Sequence, residues 1–183
     1  MLAIGDSIMI DAAPYLRELL PGILIDAVVG QQLYQVRAAV PKLKEEGAVG
    51  DKLILELGTN GPYSQAELIA LLHALGPMQR IVVVNADVPR PWEAQVNATI
   101  AAVARSYPNM TVVNWAAIGP EHLADFYPDG IHLNPTGAQY YAGLIVAALE
   151  APTKPANVPR TKVSSTPPVH DGLGGERQRR AEA

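Results

Sequence analysis

Leu53-Ile54-Leu55-Glu56-Leu57, ended by Gly58, is a short run that is apolar at every position but one. Such a run lacks the polar alternation of a half-exposed strand and reads as a strand buried on both faces, the kind found in parallel sheets covered by helices. The pattern recurs on either side. Leu2-Ala3-Ile4 and Ile23-Leu24-Ile25-Asp26-Ala27-Val28-Val29, ended by Gly30, precede it; Ile81-Val82-Val83-Val84 and Met110 to Trp115 follow. Between these runs the apolar residues recur with helical spacing. The predicted helices run through Tyr15, Leu16, Leu19 and Leu20, with Pro14 in a first turn; through Val36, Ala39, Val40 and Leu43, stopping near Gly47; and from Leu68 to Leu75, stopping at Gly76-Pro77. Trp92 to Ser106 and Thr136 to Leu149 complete the set.

Five strands alternating with helices predict an α/β fold: a flavodoxin-like three-layer α/β/α sandwich around a five-stranded parallel sheet. The 183 residues are 49% hydrophobic, enough for one real core and against wholesale disorder. No apolar run approaches a membrane span, and the first residues lack the basic start and long apolar stretch of a secretory signal. With no cysteine, disulfides, thiolate zinc sites and cysteine nucleophiles are excluded together. Charge divides the chain. Residues 1–150 carry 8 Lys+Arg against 15 Asp+Glu, a balance of −7, whereas 151–183 carry 6 against 3, a balance of +3. The second stretch is rich in Pro, Ser, Thr, Gly and Arg and nearly devoid of large apolar residues. It is expected to be a disordered tail or linker following a single domain at 1–150. An acidic domain without a basic cluster is a poor match for nucleic acid.

Ligands of such sheets bind beyond the carboxyl ends of the strands, where small and polar residues concentrate. Gly5-Asp6-Ser7 follows the first strand, Gly30-Gln31-Gln32 the second and Gly58-Thr59-Asn60-Gly61 the third; Asp129-Gly130-Ile131-His132 comes just before the last helix. The chemistry they can share is acyl transfer. A serine hydroxyl needs a general base, imidazole serves as one, and a carboxylate orients the imidazole. Ser7, between a strand and a helix, sits where backbone N–H groups stabilise an oxyanion. Asp129 and His132 are three apart in one loop, close enough to pair. The N–H groups of Ser7 and Gly30 and the Asn60 amide complete an oxyanion hole. Taken singly, each piece reads as an ordinary turn, cap or strand-end glycine; the four together in this order do not read as coincidence.

The four blocks, Gly5-Asp6-Ser7, Gly30, Gly58-Thr59-Asn60 and Asp129-Gly130-Ile131-His132, resemble those of the SGNH (GDSL-type) hydrolase superfamily. The longer matches Ala3-Ile4-Gly5-Asp6-Ser7-Ile8-Met9, Glu56-Leu57-Gly58-Thr59-Asn60-Gly61, Val88-Pro89-Arg90 and Tyr127-Pro128-Asp129-Gly130-Ile131-His132-Leu133 are similar to the extracytoplasmic catalytic domain of peptidoglycan O-acetyltransferases. The resemblance spans residues 2–149. It implies Ser7 as nucleophile, His132 as general acid/base and Asp129 as its orienting carboxylate, with Ser7, Gly30 and Asn60 as the oxyanion hole. It also implies a membrane acyltransferase domain as acetyl source and a place on the cell-wall side; a chain complete in itself would instead be cytoplasmic. Gln31 stands where this branch usually has arginine.

Gln31, Arg90 and Trp92 are candidate substrate contacts: Arg90 for a carboxylate, and Trp92 either for stacking on a sugar or for packing the start of its helix. Glu56, polar in an apolar run, reads as a buried, hydrogen-bonded structural carboxylate. His73 reads as a half-buried helix residue, His122 as surface near the cleft, and Tyr140 and Tyr141 as helix surface and core. The histidines and carboxylates show no zinc-ligand spacing, so neither metal nor cofactor is expected. The expected activity is serine-dependent O-acetyl transfer or ester hydrolysis on carbohydrate, in its most specific form on N-acetylmuramic acid, by a monomer acting on a small-molecule or glycan acyl ester. The alternatives are a general SGNH carboxylesterase or acetylesterase, and a non-catalytic carbohydrate-binding module on the same scaffold.

Overall fold

β1 (Leu2–Gly5) lies inside a five-stranded, all-parallel sheet in the computed structural model, which describes residues 1–152. The expected tail lies, from residue 153 onward, outside the described residues. The other strands are β2 (Leu24–Ala27), β3 (Lys52–Glu56), β4 (Arg80–Val84) and β5 (Met110–Val113), in the order β2-β1-β3-β4-β5. The helices are α1 (Ser7–Leu19), α2 (Leu33–Glu45), α3 (Gln65–Leu75), α4 (Glu93–Ser106), the single turn α5 (Trp115–Ile118) and α6 (Pro135–Glu150).

Alternation along each strand divides the core. Leu2, Ile4, Leu53, Leu55, Ile81 and Val83 face α2, α3 and α4, whereas Ala3, Ile54, Val82, Val84 and Val113 face α1 and α6. Three layers result, as predicted. Strand order reverses beside β1: the helix after β1 covers one face and the helix after β3 the other. The crevice between the ends of β1 and β3 is therefore the topological switch point, where such sheets bind ligands.

The structure corrects the sequence reading in places. Pro14 is the eighth residue of α1, not part of a first turn, because Asp6 caps the helix at once by accepting the Ile8 N–H (3.0 Å). Pro14 is tolerated there on the solvent side. β2 is shorter than expected and is an edge strand, with Leu24 exposed. After β5 the chain turns into α5 and two short 3₁₀ turns, Gly119–Glu121 and Leu123–Asp125, that no periodicity announced. Trp115 anchors this segment, packing edge-on against Tyr141 at 4.9 Å between ring centres and tilted against Phe126 at 5.6 Å. No helix among the described residues is long and apolar enough to cross a membrane.

Candidate active site

Ser7 is the first residue of α1 and directly follows the buried turn Gly5-Asp6. Gly5 is required for this approach: a Cβ there would lie 2.3 Å from Cβ of Met9 and 2.7 Å from Oε2 of Glu56. At the far side of the crevice the loop before α6 folds on itself. Asp129 Oδ1 accepts the N–H groups of Ile131 and His132, both at 2.9 Å, while Oδ2 faces His132 Nδ1 at 2.7 Å. His132 Nε2 reaches Ser7 Oγ at 3.0 Å. Serine, imidazole and carboxylate thus form one continuous hydrogen-bonded line. The imidazole and the two N–H groups hold the exposed Asp129 carboxyl down to about 2, so it is ionised whenever the ring is needed as a base.

Asp11, one turn after Ser7, accepts the Leu133 N–H at 3.0 Å, and Tyr127 donates its N–H to the His132 carbonyl at 2.8 Å. Helix α1 therefore carries the serine and also holds the loop of the histidine. Burial raises the Asp11 carboxyl, partly offset by that Leu133 N–H. Asp11 was not among the sequence candidates; its spacing of four from Ser7, on one helix face, was the available signal.

Gly30 lies in the turn after β2, where the Gln31 N–H closes onto the Val28 carbonyl at 3.0 Å, and its φ of +77° is one that only glycine adopts freely. Asn60 follows β3 and donates its Nδ2–H to Asp6 Oδ2 at 2.8 Å, leaving its second N–H for a ligand. Ser7, Gly30, Asn60 and His132 line a single cleft of about 190 Å³ with Val29, Thr59, Val88, Arg90 and Ile131. A larger, mainly apolar hollow of about 420 Å³ lies at the opposite end of the sheet, away from this chemistry.

The candidate substrate contacts divide. Arg90 is exposed and lines the cleft. Gln31 is buried and does not line it. Trp92 packs on the core, and its indole N–H donates to the Gly58 carbonyl at 3.0 Å. His73 is exposed rather than half-buried, since the buried face of α3 is taken by Leu68, Leu71, Leu72 and Leu75. His122 is bonded to Asp125 at 3.0 Å and stacked on Tyr140, outside the cleft. Glu56 is buried, as expected, and accepts the Asp6 N–H at 3.0 Å. Burial and the nearby Asp6 carboxylate push its carboxyl well above the usual range.

No family model matches the chain. The peptidoglycan O-acetyltransferase OatA of Listeria monocytogenes is 41% identical to it over 148 residues, which is 81% of this chain and 24% of that protein. Among solved structures, the C-terminal catalytic domain of Streptococcus pneumoniae peptidoglycan O-acetyltransferase A, bearing a methylsulfonyl adduct, superposes with a TM-score of 0.70 at 22% identity. That match covers 84% of this chain and 96% of the domain. A Parabacteroides merdae protein named GDSL-like gives 0.64 at 19% identity, covering 81% and 94%. The chain thus spans about a quarter of the length of its curated relative; over that span it is similar to the peptidoglycan O-acetyltransferases, and it has the fold of the solved catalytic domain and of the GDSL-like protein.

Proposed function

We propose that the chain transfers O-acetyl groups on carbohydrate through an acyl-Ser7 intermediate, with peptidoglycan N-acetylmuramic acid as the acceptor class. The observation that carries this reading is the line Asp129–His132–Ser7, at 2.7 and 3.0 Å, opening into a cleft lined by Gly30 and Asn60. Ser7 Oγ attacks the ester carbonyl carbon while His132 Nε2 takes its proton. The N–H groups of Ser7 and Gly30 and the free Asn60 N–H receive the oxyanion. His132 then returns the proton to the departing alcohol, leaving acetyl on Ser7. An acceptor hydroxyl, deprotonated by the same ring, attacks the acetyl carbonyl carbon; the bond to Ser7 Oγ breaks, and His132 returns the proton to Ser7. Arg90 at the cleft wall suits a substrate carboxylate. The acetyl source we propose is a membrane acyltransferase domain, and the place of action the cell-wall side, in keeping with the Listeria relative four times as long as the match.

Hydrolysis is the second reading, favoured by exposure: the side chains of His132 and Asp129 are 41% and 48% accessible, so water reaches the acyl-enzyme freely. Incubation with an activated acetyl ester, with and without muroglycan, followed by weighing of the products separates the two. Acetylated glycan that grows with acceptor concentration supports transfer; free acetate alone at every concentration rejects it. A serine-directed sulfonyl fluoride that leaves Ser7 unlabelled, with glycan binding retained, would point instead to a binding module.

A further inference from the structure

Two carboxyl groups lie beneath the nucleophile with no cation between them. Asp6 is fully buried and Glu56 is 4% exposed; they meet across neighbouring strands, where Gly5 pairs in register with Glu56. The ion pairs among the described residues involve neither. The titratable groups facing them are phenols: Tyr63, ahead of α3, and Tyr141 on α6. Burial first, and the carboxylate charge second, push both phenols up and keep them protonated. The Thr59 hydroxyl approaches Glu56 Oε1 at 3.5 Å. Two adjoining carboxylates cannot both stay ionised in such surroundings, so the pair holds one proton. Burial, then the neighbouring carboxylate, raise Glu56 well above its usual range, so the proton falls to Glu56.

Asp6 spends its oxygens on the site. Oδ1 takes the Ile8 N–H that starts α1 beneath Ser7, and Oδ2 takes the Asn60 amide. The Asp6 N–H is itself held by Glu56 Oε2. From this geometry we infer that Glu56 is a positioning residue for the oxyanion hole: its proton bridges to Asp6, fixes that carboxylate, and through it aims the second N–H of Asn60 into the cleft. Loss of the proton to solvent at high pH sets two carboxylates against each other. Asp6 then swings from its partners, Asn60 loses its anchor, and acyl transfer slows. The inference rests on the acyl-transfer reading above, with Asn60 as oxyanion donor.

Glu56→Gln keeps a donor toward Asp6 and an acceptor for its N–H but cannot ionise; Glu56→Leu keeps neither. Steady-state turnover of an activated acetyl ester is to be measured for both and for the wild type, from acid to strongly alkaline pH. The wild type loses kcat on the alkaline side. Glu56→Gln stays within about threefold of it at neutral pH and lacks the alkaline loss. Glu56→Leu falls by about 10–10²-fold in kcat with KM nearly constant. Stability gives a parallel readout. A carboxyl raised on folding contributes fully below the ordinary glutamate range, and its contribution is lost as pH rises toward the folded value. The wild type therefore loses stability relative to Glu56→Gln over that interval.

A purely structural Glu56 predicts lower melting temperatures in both variants with an unchanged alkaline limb and unchanged kcat per folded molecule, and that result overturns the inference. An NMR readout stands apart from activity. The Asn60 side-chain amide, assigned by its loss in Asn60→Ala, should shift with alkaline pH in the wild type and stay flat in Glu56→Gln. If the wild type turns over no ester, the acyl-transfer reading falls, while this amide pattern still upholds the link from Glu56 to Asn60. An amide that does not move with pH in the wild type overturns it.

Discussion

Ser7 Oγ and His132 Nε2 stand 3.0 Å apart in the resting site, already within proton-transfer distance. Ser7→Ala and His132→Ala should each lower ester turnover by about 10³–10⁶-fold, because serine and imidazole act as one unit. Asp129→Asn should cost about 10⁴-fold, since an amide at Oδ2 selects the wrong imidazole tautomer. Asn60→Ala should cost about 10²–10³-fold, confined to kcat, as expected for a single oxyanion donor. Steady-state kinetics with melting curves on each variant check all four; an Asn60→Ala effect found wholly in KM would remove it from the oxyanion hole. The pH profile follows from Asp129. Its carboxyl is held down to about 2, so it stays ionised at any pH above that value and adds no proton to the acid limb of kcat/KM. A carbon-13 titration of the Asp129 carboxyl with its midpoint in the ordinary aspartate range would contradict this.

The loop after β3 shows what elements contribute. Gly58 holds a φ of +128°, and a Cβ there would come within 2.5 Å of Val96 Cγ1 on α4. Gly58→Ala should cost about 2–4 kcal/mol, from strain and overpacking together. Adding Val96→Ala should return only part of it, since the shorter side chain relieves the clash and not the φ. Full recovery in thermal melts would show that the backbone is unstrained. Trp92→Phe loses the indole bond to the Gly58 carbonyl, worth about 0.5–1.5 kcal/mol, and should leave KM for a glycan acceptor unchanged. A large rise in KM would restore Trp92 as a sugar platform. Periodicity made the five strands and the main helices legible, because burial patterns are local in the chain, whereas Ser7, Asp129 and His132 were singled out by the blocks at the strand ends and by the family resemblance. What stayed hidden depends on long-range contact. The Trp115–Asp125 segment is shaped by Tyr141, and the pairing of Asp6 with Glu56 by strand register across 50 residues. Trp92 was ambiguous for the same reason: its partner, the Gly58 carbonyl, is 34 residues away.

At the scale of the molecule, residues 1–150 carry a balance of −7 and 151–183 one of +3, so any attraction between the two weakens as salt is added. Among the described residues the fold closes on its last helix. α6 packs Tyr141, Ala142 and Ile145 into the core, Ala151 ends it by donating its N–H to the Ala147 carbonyl at 3.0 Å, and the buried Arg80 guanidinium reaches the Ala148 carbonyl. A cation at that place also suits the negative end of the helix dipole. Ending the chain after Pro152 should therefore leave the melting temperature within about 2 °C and acetyl-ester turnover within about twofold, a surface-level change. Arg80→Met is the contrasting cut. It removes the hold on the last turn of α6 and should cost about 1–3 kcal/mol. If the truncation lowered stability as much as Arg80→Met does, residues 153–183 would be packing on the domain and the boundary at 150 would be misplaced. If it left stability intact but weakened binding to anionic wall polymer in a salt-sensitive way, the basic segment around Arg177 to Arg180 would be acting as an electrostatic tether, whose attraction added salt should abolish well before it affects the ester reaction.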